Sequence, residues 1–315
     1  MQLRLIAAAS LLAGSLFAAD PGLLNLAMPD ARVMAGINVE QSRTSPFGQY
    51  LLTQMQEHET DLQKLADATG FDPRRDLHEV LLAASGQPGS HSGVALVRGS
   101  FDVSRILEAA SSQGKDIAAY KGVQIISGGK AKHGSLTFLD STLAVAGDDA
   151  DVRAAIDRKS EPASISSDLA VRVNQLSTTQ DAWFVSLVPP NQFLTPTTEA
   201  GGGPASGAFG TLSKVRQASG GVKFGATVIL SAQTVSQTEK DASALADVLK
   251  MLSNMVQMNA PRGQPAAAAA LLQNLVVTAN GQVTTLSLSI PEQQLEELIG
   301  SAHQGKVRRT AAVRQ

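Results

Sequence analysis

The most regular stretch of this 315-residue chain runs from Val222 to Val235, where Val222, Phe224, Ala226, Val228, Leu230 and Ala232 stand on one face and Lys223, Thr227, Ser231 and Gln233 largely on the other. A period of two marks a half-buried strand. Shorter apolar runs predict strands at Val33 to Val39, Val80 to Ala84, Gly93 to Val97, Val123 to Ile126, Leu136 to Leu139, Leu143 to Ala146 and Ala182 to Val188. Leu275 to Ala279 and Gln282 to Ile290 flank Asn280-Gly281. That pair suits a type I′ turn, whose two central residues both need positive φ, so a hairpin is expected.

Helices are announced by their caps. Ser45 before Pro46 reads as N-cap and first helical residue, because Pro there gives up only an N–H that has no partner in a helix anyway, and a helix to about Ala68 follows. Asp72 before Pro73 repeats the device. Further helices are expected from Asp102 to about Ser111, from Asp149 to about Arg158, from the capping box Thr238/Asp241 to about Met258, and from Pro291 onward. Strands joined by tight turns pair antiparallel, so the fold class is α+β, with mixed, mainly antiparallel sheet and packed helices in two related or similar halves. The expected units are residues 20–160 and 161–304, with a Ser-rich linker from Lys159 to Ser167, a Gly- and Pro-rich loop over 195–210 and a basic tail over 305–315. Each half ends in a hairpin and then a helix with an acidic first turn (Asp148, Asp149 and Asp151; Glu292). Internal duplication produces that layout, and so does unrelated strand-plus-helix packing.

The N-terminus changes the picture. Met1 to Arg4 is a short positive end, Leu5 to Ala13 is almost wholly apolar, and Ala18-Ala19 precede Asp20. This is a signal peptide's layout over residues 1–19, too short to span roughly 30 Å of hydrocarbon as a helix. The cut falls after Ala18 or Ala19, although Leu16 or Phe17 then occupies a position where a small residue is preferred. The expected product is exported, periplasmic or secreted, with no stable membrane span after cleavage. The chain has no Cys, so lipid attachment through one, disulfides and thiolate metal sites are all excluded. A net charge of −2 gives no basic footprint for nucleic acid. An aromatic content of 4% argues against a stacking cleft for sugars or bases.

The search for chemistry assigns no catalytic, cofactor-binding or metal residue and no cofactor. Gly128-Gly129-Lys130-Ala131 matches only the end of a phosphate-binding loop, since Gln124 replaces the first Gly and Ala131 has no hydroxyl for Mg²⁺. Gly201 to Gly207 departs from the dinucleotide pattern at Ser206. Gly89 to Gly93 centres His91 where a nucleophile elbow needs Ser. Ser127/Lys130 and Ser112/Lys115 have Ser-x-x-Lys spacing without a Lys-Thr-Gly partner. His58, His78, His91, His133 and His303 occur singly. Asp148, Asp149 and Asp151 offer too few oxygens for Ca²⁺ and suit a helix dipole instead. Glu296 and Glu297 point to different helix faces. Met251, Met255 and Met258 line up beside the stripe of Leu245, Val248, Leu249, Leu252 and Val256, as gap-filling core or as an adaptable binding groove. Lys306, Arg308, Arg309 and Arg314 are a solvated tail or a weak attraction to a membrane surface.

Residues Leu23 to Gly36, Ser45 to Gln49, Phe71 to Leu77 and Gly221 to Ala226 together resemble uncharacterised exported bacterial proteins with two related α+β halves. The resemblance implies export and fold, and carries no activity. The reading that follows is a non-catalytic binding or interaction module of the cell envelope, its partner an unknown protein or a small apolar ligand. A hydrolase with a dispersed active site, or a structural envelope protein, are the alternatives.

Overall fold

A computed structural model describes residues 19–54, 59–87, 92–128, 134–190, 210–258, 272–297 and 299. The elements are α1 (Pro21–Leu24), β1 (Val33–Asn38), α2 (Val39–Thr44), α3 (Pro46–Gln54), α4 (Glu59–Thr69), α5 (Pro73–Asp76), β2 (Leu77–Ala84), β3 (Gly93–Gly99), α6 (Val103–Ser112), β4 (Ile117–Tyr120), β5 (Val123–Ser127), β6 (Ser135–Asp140) and β7 (Leu143–Gly147). They continue with α7 (Asp149–Ser160), α8 (Ser167–Ser177), β8 (Ala182–Ser186), β9 (Val215–Lys223), β10 (Thr227–Ser236), α9 (Glu239–Met258), β11 (Leu275–Asn280) and β12 (Val283–Pro291). The fold is α+β. Twelve strands form one antiparallel sheet in the order β11-β12-β10-β9-β8-β1-β2-β3-β7-β6-β5-β4.

The expected boundary at 160/161 coincides with the end of α7, and the sheet runs across it. β1 pairs with β8, from Val33 opposite Ser186 to Ile37 opposite Ala182. Outward from this seam the strand orders correspond: β1-β2-β3-β7-β6 on one side, β8-β9-β10-β12-β11 on the other. In each half a helix, α6 or α9, leads from the third strand to the later hairpin, and the first half adds the hairpin β4–β5 at its edge.

The two faces of the sheet are treated differently. On the inner face Met34, Leu81, Leu96, Val145 and Val185 are buried under α1, α7 and α8, whose Leu23, Val152, Ala155, Leu169 and Val173 are each 0% exposed. Trp183 lies on this face against Gly36, where a Cβ would stand 2.5 Å from the indole ring. On the outer face Val97, Ile126, Leu136, Phe138 and Ala144 pack with Phe101, Ile106 and Phe71 around α6. At the far end of that face α9 packs on β10, β11 and β12, and Thr284 Oγ1 donates to the Ala242 carbonyl at 2.9 Å.

Several expected boundaries move. The single strand read over Val222 to Val235 is the end of β9, a reversal at Phe224-Gly225-Ala226, and β10. Across the reversal Val222 pairs with Leu230, a residue of the same parity, so the alternation continues through the turn and hides it. The turn of β11–β12 is Gly281-Gln282, because Asn280 already pairs with Val283. Only Gly281 has positive φ (55°), the requirement of a type II′ turn, so type I′ at Asn280-Gly281 is not formed. A type I′ pair does occur at Lys121-Gly122, with φ of 48° and 81°, between β4 and β5. The first bond of the capping box is made, the Asp241 N–H donating to Thr238 Oγ1 at 3.1 Å, and the Asp241 carboxylate accepts from the Thr238 hydroxyl at 2.6 Å.

Two carboxylates anchor the connections near the seam. Asp181, 2% exposed, accepts from Lys223 Nζ at 2.8 Å and from the Phe224 N–H at 2.6 Å, tying the β9–β10 reversal to the start of β8. Asp181→Ala strands that N–H, and an unfolding titration should show a loss of about 2 kcal/mol. Asp76 caps its own turn by accepting from the Asp72 N–H at 2.8 Å. The Arg75 guanidinium beside it holds its carboxyl below the usual range. A carboxyl with a lowered folded pKa stabilises above its unfolded value, about 3.9, and loses that contribution as pH falls through the folded value. Arg75 is 69% exposed, so Asp76→Asn should cost about 1 kcal/mol at neutral pH and flatten the acid limb of a stability–pH curve.

Candidate functional site

The outer face is covered by α6 at one end and α9 at the other, and among the described residues no element covers its middle. Register sets Leu82, Ala35, Phe184, Gly220, Ala232, Leu286 and Val277 in one row across the strands from β2 to β11. The neighbouring row is Val80, Ile37, Ala182, Val222, Leu230, Leu288 and Leu275. Every member of both rows is apolar or Gly. Beyond β8 the reverse face carries Ser219, Gln233, Thr285 and Thr278 in one row and Gly221, Ser231, Ser287 and Val276 in the next. From β9 to β12, therefore, the more apolar side of the sheet is the outer one.

A trough of about 460 Å³ opens on this face, lined by Ala182, Phe184, Val222, Leu230, Ala232, Leu275, Leu286 and Leu288 with the backbone of Trp183, Gly221 and Ser231. Its concavity is a matter of side-chain size. Ala182 and Ala232 form a low floor between Phe184, Leu230 and the leucines of β11 and β12. Phe184 leans over Gly220, whose added Cβ would lie 3.0 Å from its ring and 2.4 Å from the Ser231 carbonyl. Large apolar groups remain in water here: Leu82 is 50% exposed, Phe184 40% and Leu230 36%. Among the described residues no titratable side chain lines the trough. Such a surface can desolvate and hold an apolar group.

The residues singled out by sequence lie elsewhere. Ser112 closes α6 and donates to the Ala109 carbonyl at 2.8 Å, and Lys115 lies beyond the helix end. Asp148, Asp149 and Asp151 do not converge. Asp148 makes no side-chain cap, Asp149 pairs with Arg153 at 2.6 Å, and Asp151 accepts from Ser92 Oγ and the Gly93 N–H, fastening α7 to β3. Glu296 offers its carbonyl to Tyr50 Oη at 3.1 Å, and Phe47 packs on Phe224, so α3 reaches across to the second half. His78 is half-buried in β2. The methionine line is not part of the trough wall; Met251 is 49% and Met258 79% exposed, and Met255 is half-buried. Residues 1–18, Gly89 to His91, Gly129 to Ala131, His58, His133, His303, residues 195–209 with Gly201 to Gly207, and the tail 305–315 lie outside the described residues. Among the described residues no three His, Cys, Asp or Glu are placed to hold a metal ion, and no helix is long and apolar enough to cross a membrane.

Sequence reading missed the trough, although half of its signal was in view. The alternation of Val222, Leu230 and Ala232 showed an apolar face. Whether a helix covers that face is decided by packing far along the chain.

No family model and no curated protein matches the chain. Among solved structures it is similar to TP0453. Crystal form III is 11% identical with a TM-score of 0.49, the match covering 88% of this chain and 97% of that one. Crystal form I is 11% identical with a TM-score of 0.47, over 88% and 96%.

Proposed function

We propose that this is an exported, non-catalytic binding module of the cell envelope whose trough takes a small apolar ligand. The observation that carries the reading is the trough itself, a concave, wholly apolar lining on a sheet face that leaves Phe184 and Leu230 in water. Its volume of about 460 Å³ falls within the roughly 300–1,000 Å³ of ligand sites. Contiguous exposed apolar surface is a recurrent mark of interaction sites and ligand-binding grooves. The lining has no charge to pair with an ionised group, so the ligand is neutral where it touches the floor. We also read the halves as diverged copies of one unit, supported by their matching strand orders and by α6 and α9 standing on the same face.

Titration of the purified protein with the neutral fluorescent probe N-phenyl-1-naphthylamine tests the binding reading. Saturable, one-to-one enhancement that a long-chain alcohol displaces is the expected result. A linear, non-saturable response, or no response, would overturn it.

A further inference from the structure

We propose that removal of residues 1–19 completes an ion pair inside the fold: cutting the Ala19–Asp20 bond creates an α-ammonium on Asp20 that pairs with the Glu79 carboxylate. The step is a hydrolysis by the export machinery's peptidase. Water adds across the peptide bond, Ala19 leaves with the new carboxylate, and Asp20 keeps the amine, protonated at neutral pH. The inference rests on the export reading above.

The geometry is already in place. The Asp20 nitrogen lies 3.3 Å from Glu79 Oε1. Ala19, which would be removed, is itself buried against the core, but Asp20 has its own anchors in the residues that stay. Asp20 is the N-cap of α1, its carboxylate accepting from the Gly22 and Leu23 N–H groups, and its carbonyl accepts from Leu23 and Leu24. Arg98 grips the same carboxylate with Nε at 3.0 Å and Nη2 at 2.8 Å. The nitrogen therefore keeps its position when the chain before it is gone.

Glu79 needs that charge. It is half-buried on the inner face of β2, opposite Asn38 on β1 and Arg98 on β3. The charged groups facing it are the Asp20 carboxylate, which repels it, and Arg98, which Asp20 has already engaged. Burial pushes its carboxyl above the usual range while the chain is uncut. In that state ionising Glu79 costs stability as pH rises through its pKa; in the cut chain the ammonium reverses the sign. The α-amine gains a partner, so its folded pKa rises above the ordinary 7.7–8.0 or so. Its contribution is complete below that range and is lost as pH climbs through the raised value.

The test compares residues 20–315 with a free Asp20 amine, released from a cleavable fusion, against the same chain acetylated at Asp20, each with Glu79 and with Glu79→Gln. At pH 7 Glu79→Gln should lower the folded-to-unfolded ratio of the free-amine chain about tenfold, the equivalent of one pKa unit. It should raise, or leave unchanged, the ratio of the acetylated chain. An equal effect in both chains overturns the pair, as does an α-amine titrating at its ordinary value. Mass spectrometry of the exported protein separates the two claims. A chain starting at Asp20 supports both, one starting at Ala19 or elsewhere overturns this inference with export intact, and an uncut chain overturns the export reading while the acetylation comparison still decides the pair.

Discussion

Replacing Trp183 by Ala should lower the unfolding free energy by about 3–5 kcal/mol, the cost of emptying a large aromatic site that the surroundings cannot refill. The cost sits at the high end because of what faces the ring. Trp183 is 6% exposed and stands between Gly36 of β1, on which it packs, and Gly221 of β9, so neither neighbouring strand has a side chain opposite it to fill the void. Trp183 is the chain's single Trp, so the measurement is equilibrium denaturation followed by circular dichroism. A loss below 1 kcal/mol would mean that the seam between β1 and β8 is not held by this contact. The converse substitution, Gly36→Val, meets the indole head-on and should be destabilising by about 1–3 kcal/mol through overpacking.

The second large effect is on binding. Ala232→Trp places an indole on the floor of the trough and should weaken N-phenyl-1-naphthylamine binding more than tenfold, which is over about 1.4 kcal/mol. Its unfolding midpoint should stay near that of the parent, since the new ring projects into open volume. Leu230→Asp reaches the same end by chemistry: a carboxylate beside Phe184 and Leu288 would have to be desolvated by an apolar ligand. Unchanged affinity in both variants would remove the trough from the function.

How much of this was legible beforehand depended on whether the decisive partner was local. Asp72, Asp102 and Thr238 announced their helices, and the turn residues announced antiparallel pairing, because caps and turns act within three or four positions. α2 was passed over because its apolar content is low. β9 was hidden because Ser219-Gly220-Gly221 shows no alternation, although the run is paired on both edges and Phe184 and Gln180 lie over its glycines. The methionines of α9 show the opposite failure. Their spacing suits a packed stripe, but among the described residues no element covers Met251 and Met258. The trough required knowing that rows from five strands share one face and that α6 and α9 stop short of covering it. Those are long-range facts that no window of the sequence contains.

The β1–β8 seam also sets a schedule. A chain delivered from its N-terminus presents Val33 long before Ser186, so β2 and β3 can close on β1 while its other edge still offers free N–H and C=O groups. Contacts of such sequence separation form slowly. Until β8 arrives, the half-made sheet is a template for strands of other molecules. A chain stopped before residue 182 should therefore aggregate through the very edge that the complete chain uses to join its halves.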